Sequence, residues 1–175
     1  MQKKYLALLS SLLVVLVLSE FLTVANAETH ADNKPPIEVG DVLKIESRRG
    51  IAVELKVGRE ENSERELLKA ELMLKVEVAE IKDARVALKV LEGYIKIGEN
   101  VYTVKEGKGR AILSKFGWLG VGGTATNEGA QYRFYLEGML HIERSGLVVA
   151  RLTGVFGNDE KSYRLRIMAR IEKSD

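Results

Sequence analysis

The sequence predicts an all-β protein: an antiparallel meander of about eight to ten strands forming a β-barrel or a β-sandwich, after an N-terminal signal helix. Three observations predict it. Apolar residues alternate with polar ones over long stretches, the period of a strand with one buried face and one wet face. Turn residues separate these stretches at short intervals, which favours antiparallel neighbours over crossovers. Glycine recurs inside the alternating runs, where it weakens a strand unless the sheet bends sharply or another segment approaches closely.

The N-terminus is of a different kind. Met1-Gln2-Lys3-Lys4 is basic, Tyr5 to Leu18 is apolar apart from Ser10 and Ser11, and Ala25-Asn26-Ala27 offers a small-x-small site. That order is a secretory signal, with cleavage expected after Ala27. The rival reading is a retained anchor, but the apolar run, closed by Glu20, falls short of the roughly 20 residues a spanning helix needs. Lys3-Lys4 is not a twin-arginine pair, so export of the unfolded chain is expected. We read 1–27 as signal peptide, 28–36 (ETHADNKPP) as a disordered leader and 37–175 as a single antiparallel β domain. The expected location is secreted or on the exterior of the cell envelope.

Within the domain, Ile51, Val53, Leu55 and Val57 alternate with polar or small residues. Leu68, Ala70, Leu72, Leu74, Val76 and Val78 continue the period, with Lys69, Glu71, Lys75 and Glu77 on the other face. Between the two runs, Ser63-Glu64-Arg65-Glu66 has the form of a capping box, which would start a short helix over 64–70. The alternation from Leu68 favours a charged hairpin loop over 58–67 instead. Ala84 to Gly98 changes phase: Val86, Leu88 and Val90 share one face, and Leu91, Gly93, Ile95 and Ile97 carry the apolar set afterwards. One extra residue near Val90-Leu91 is the mark of a β-bulge. Glu99-Asn100 is expected to turn into Val101–Val104, and Glu106-Gly107-Lys108-Gly109 to turn again into the strand of Ile112 and Leu113. The run 117–123 (GWLGVGG) is ambiguous, and Asn127-Glu128-Gly129 reads as a short hairpin loop.

The last third fixes its own register. Tyr132, Phe134, Leu136, Gly138, Leu140 and Ile142 point one way, and Val148, Ala150, Leu152, Gly154 and Phe156 form the next inward set. Inward residues face each other only across a loop of odd length, so Arg144-Ser145-Gly146 is the loop. The opposed pairs become Leu140 with Ala150, Gly138 with Leu152, Leu136 with Gly154, and Phe134 with Phe156. Tyr163, Leu165, Ile167, Ala169 and Ile171 make the final strand. An echo links Leu91–Ile97 (LEGYIKI) with Leu136–Ile142 (LEGMLHI), and Leu152–Val155 (LTGV) repeats its first half.

The run IKIGENVYTVKEGKGRAIL, followed by GTATNEGAQYRFYLEG and then RLTG, resembles a group of exported proteins from ammonia-oxidising archaea. These share a strand pattern of alternating apolar residues, Tyr-x-Val and Gly-x-Gly, and the likeness covers about half the chain by the turn chemistry involved. The resemblance implies export and β-structure, and it carries no activity or catalytic residue.

Most concentrated chemistries are absent from the sequence. It has no cysteine and two histidines, of which His30 lies in the leader and His141 on a polar strand face, so a two-histidine zinc site has no place in the domain. No Gly-x-Ser-x-Gly elbow accompanies His141. Glu92 and Glu137 occupy matching positions in the echo and are the one candidate carboxylate pair for glycoside hydrolysis, against the ordinary reading of wet-face residues paired across strands. Asn158-Asp159-Glu160 lacks the spaced ligands of a calcium loop. Gly107-x-Gly109 and Gly120-x-Gly122-Gly123 lack the strand-to-helix context of a phosphate cradle. With 27 basic against 25 acidic residues, the chain lacks the basic footprint of a nucleic-acid binder.

Two candidate surfaces remain. Arg164, Arg166 and Arg170 line one strand face, with Arg133 and Arg151 on neighbouring faces, and could meet anionic polysaccharide or lipid headgroups. Glu137, Glu143 and Glu172 are the expected neutralisers. Tyr102, Phe116 and Trp118 are the candidate lining of a barrel mouth holding an apolar ligand. The expectation is a non-enzymatic interaction or structural protein without cofactor, nucleic acid or metal, touching a membrane through the signal segment alone if that is kept. The alternatives are an apolar-ligand barrel and, further off, a carboxylate hydrolase.

Overall fold

The computed structural model describes residues 37–55, 66–114, 117–143 and 147–174. The signal segment, the leader, most of the loop expected over 58–67 and the 144–146 loop lie outside them. Eight strands follow in order: β1 (Val42–Leu55), β2 (Leu67–Lys82), β3 (Arg85–Ile97), β4 (Asn100–Ile112), β5 (Gly117–Asn127), β6 (Ala130–Ile142), β7 (Val148–Gly157) and β8 (Ser162–Lys173). Each pairs antiparallel with the next, and β1 pairs with β8 from Leu43 opposite Lys173 to Leu55 opposite Ser162. The meander is therefore a closed barrel, not a sandwich. Eight strands leave an interior that side chains can fill.

Alternation does the sorting. On β2, Ala70, Leu72, Leu74, Val76 and Val78 are buried and face the interior, while Lys69, Glu71, Lys75 and Glu77 stand outside. A barrel that spans a membrane carries its apolar band on the outside. Here that order is reversed, and the buried side chains form one apolar core with no buried polar or charged residue among the described residues.

The hairpin of β6 and β7 has the register that parity requires: Phe134 faces Phe156, Leu136 faces Gly154, Gly138 faces Leu152 and Leu140 faces Ala150. A Cβ added at Gly138 would run into the Arg151 carbonyl, and one at Gly154 into the Tyr135 carbonyl. Glycine is thus needed where the two strands coil against each other, and each leucine fills the space opposite.

β3 carries the expected bulge. Lys75 pairs with Glu92 and Val76 with Val90, so Leu91 is the extra residue. It sits on the surface instead of joining Ile95 and Ile97 inside. A second irregularity interrupts β1 between Glu46 and Ile51, where the Ser47 hydroxyl accepts the backbone N–H of Leu72 at 2.9 Å. That bond satisfies a donor the broken ladder leaves over.

Two local expectations are corrected, and one open reading is decided. The first turn lies at Gly98-Glu99, with Asn100 already paired to Ile97. Gly98 takes the positive φ of 59° that this turn needs. Gly107 and Gly109 make no turn: β4 runs unbroken through them, and Gly107 pairs with Gly123 so closely that neither position has room for a Cβ. The ambiguous 117–123 run is a strand, followed by a two-residue turn at Glu128-Gly129 with φ of 49° and 84°.

Candidate functional site

The closed register lays out the outer wall of the barrel as rows that cross neighbouring strands. One row reads Tyr135, Val155, Arg164, Val53 across β6, β7, β8 and β1. The next reads Glu137, Thr153, Arg166, Ile51, and a third Met139, Arg151, Met168, Arg49, with Trp118 of β5 beside Met139. Arg170 lies one step further along β8, opposite Glu46.

Arg164, Arg166 and Arg170 are therefore exposed on one face of β8, as the period requires. Only part of the expected neutralisation occurs. Arg170 is paired with Glu172 at 2.8 Å. Glu137 accepts a hydrogen bond from the Tyr135 hydroxyl at 2.9 Å, which holds that phenol above its usual range. Glu143 lies just beyond the end of β6. Among the described residues, Arg49, Arg151, Arg164 and Arg166 take part in no ion pair.

Between these arginines stand apolar side chains that water reaches: Met139 is 59% exposed, Val155 49%, Ile51 40% and Met168 37%. The alternation of Ile51 and Val53 reads as a buried face, but Ala52 is the buried residue of β1 here and both stand on the outer wall. Arg49 and Ile51 reach the β8 arginines only through closure, and Arg48 is the extra residue of the β1 irregularity against β8.

The proposed mouth lining separates. Tyr102 does face the interior, at the end of the barrel where β3 and β4, β5 and β6, and β7 and β8 are joined. Its ring is 4.7 Å from that of Tyr132 and 4.6 Å from that of Phe156, both edge-on, and Tyr132 stacks on Phe156 at 5.4 Å. Burial, with the Tyr163 hydroxyl beside it, pushes the Tyr102 phenol up to about 12. Trp118 points the other way. Leu119 and Val121 take the inward positions of β5, and the indole lies outside across Gly120, where an added Cβ would meet it. Phe116 lies outside the described residues.

The carboxylate pair does not assemble. Glu92 stands outward on β3, ion-paired with Lys75 at 2.7 Å, while Glu137 stands outward on β6, and these strands are not neighbours. The described residues contain no cluster of three or more His, Asp or Glu side chains able to hold a metal ion. No family model, curated protein or solved structure matches the chain.

Proposed function

We propose that this chain is an exported, non-enzymatic binding module whose working surface is the outer wall of β7, β8 and β1, and whose partner is an anionic component of the cell envelope or exterior. One observation carries the reading: Arg49, Arg151, Arg164 and Arg166 share a wall and take part in no ion pair among the described residues. Arginine presents a planar fork of donors that matches carboxylate and phosphate oxygens two at a time. The formal charge of the whole chain is only +2, so attraction to an anion has to come from a local group of basic residues such as this one. The signal-like N-terminus and the likeness to exported archaeal proteins support the location.

The test is binding of the purified protein to an immobilised anionic polysaccharide and to anionic vesicles, at low and at raised salt. We expect binding that weakens with salt and is lost in the Arg164→Ala/Arg166→Ala variant, whose thermal midpoint stays at the parent value. A parent protein that binds neither material ends this reading.

A further inference from the structure

We propose that the partner of the β7–β8–β1 wall is an anionic lipid surface, with the arginines on headgroup phosphates and Ile51, Val155 and Met168 at the headgroup–acyl boundary. This rests on the reading above and deepens it. The argument starts from what separates the arginines. Along β8, Arg164 and Arg166 are followed by Met168, and across the rows Arg164 lies between Val155 and Val53, while Arg166 lies beside Ile51. A soluble polyanion would find Arg151 and Arg49 separated by Met168, which offers it no donor. A membrane interface accepts both kinds: phosphate takes the guanidinium, and the exposed apolar side chains leave water.

Shape points the same way. The outside of a closed barrel is convex, so a flat surface meets only a few adjacent strands, and three strands span roughly 10 Å between their axes. Four arginines that take part in no ion pair among the described residues, Arg49, Arg151, Arg164 and Arg166, fall within three adjacent strands, β7, β8 and β1. Their neighbours on β2 are of the opposite kind, Lys69 being ion-paired with Glu71. The charge is also complementary to an acidic leaflet, which attracts basic residues held within a Debye length of it.

The experiment uses vesicles of phosphatidylglycerol and phosphatidylcholine in equal parts, vesicles of phosphatidylcholine alone, and soluble dextran sulfate. We expect co-sedimentation with the anionic vesicles only, weakened by salt. Arg164→Ala/Arg166→Ala should lower that affinity roughly thirty-fold. Ile51→Ser/Met168→Ser should weaken vesicle binding and leave any dextran sulfate binding unchanged, because only a membrane receives the apolar groups. Lys75→Ala/Lys89→Ala, on β2 and β3, should leave vesicle binding as it is. The thermal midpoint of each variant verifies its fold.

Binding to dextran sulfate without binding to the vesicles overturns the lipid partner and leaves the anion-binding wall standing. Vesicle binding that is indifferent to Ile51→Ser/Met168→Ser also overturns it. Binding to neither probe removes both proposals.

Discussion

The outer faces of β2–β3 and of β7, β8 and the adjoining Arg49–Val53 stretch of β1 rest on the same pleat, and they differ in what stands on it. On the first, lysine meets glutamate: Lys69 with Glu71 and Lys75 with Glu92, both within 2.7 Å. On the second, Arg151, Arg164 and Arg166 replace lysine, and methionine, valine or threonine stands where an acid would complete the pair. A face that neutralises itself needs only water. A face of arginines and exposed methionines is more costly to leave in water, and that asymmetry is what supports the proposed binding wall.

The two sides of the barrel differ inside as well. β2 supplies a side chain at every buried inward position, whereas β6 and β7 each set one glycine, Gly138 and Gly154, opposite a leucine of the other. The largest expected effect follows from that difference. Gly154→Val places atoms against the Tyr135 carbonyl and the Leu136 backbone, which no rotamer relieves, and should destabilise the barrel by more than about 3 kcal/mol in denaturant unfolding. A variant of parental stability would show that β6 and β7 can separate. On the β2 side the sensitive change is loss of volume. Leu74→Ala, at a fully buried position, should cost about 2–5 kcal/mol by the same measurement, and a smaller loss would mean that the interior collapses around the gap.

The next effect appears only in alkali. The buried Tyr102 phenol keeps its proton up to about 12, above its ordinary value of about 10 in an unfolded chain. Its contribution to stability is therefore complete below pH 10 and is lost as pH rises from there to about 12. Unfolding followed against pH should show this decline, and Tyr102→Phe should flatten it. An unchanged slope in the variant assigns the decline to other groups. The smallest effect belongs to the self-neutralised face. Lys75→Ala should leave the thermal midpoint within experimental error, because exposed ion pairs contribute little. A clear drop would mean that the lysine–glutamate face holds the barrel together and does not merely keep it wet.

How much of this could be read beforehand depended on distance along the chain. The pairing of Gly138 with Leu152 was legible because a hairpin converts parity into register over a few residues. The Leu91 bulge was legible because a phase change needs an extra residue, although which side of the wall received Leu91 was not. Gly107 and Gly109 misled because glycine marks both turns and sharp bends within a strand, and the deciding contact is with Gly120, Gly122 and Gly123 of another strand. Trp118 misled because residues 117–123 offer apolar or glycine residues at both parities. The arginine stripe on β8 was visible in the alternation, but its partners Arg49 and Ile51 were not. They join it across the β1–β8 seam, which no local pattern encodes.

That seam also sets a clock. Leu43 must find Lys173, and Ala52 must find Leu165, across nearly the whole length of the domain. Contacts so distant in sequence are slow to form, because the chain loses the entropy of the intervening loop before the pairing rewards it. Until the first and last strands meet, both edges of the sheet are open to other chains. Once they meet, no edge remains to template further growth. For a chain without cysteine, expected to leave the cell unfolded, the seam does what a disulfide does elsewhere: it ends the vulnerable interval and leaves a particle with no open strand.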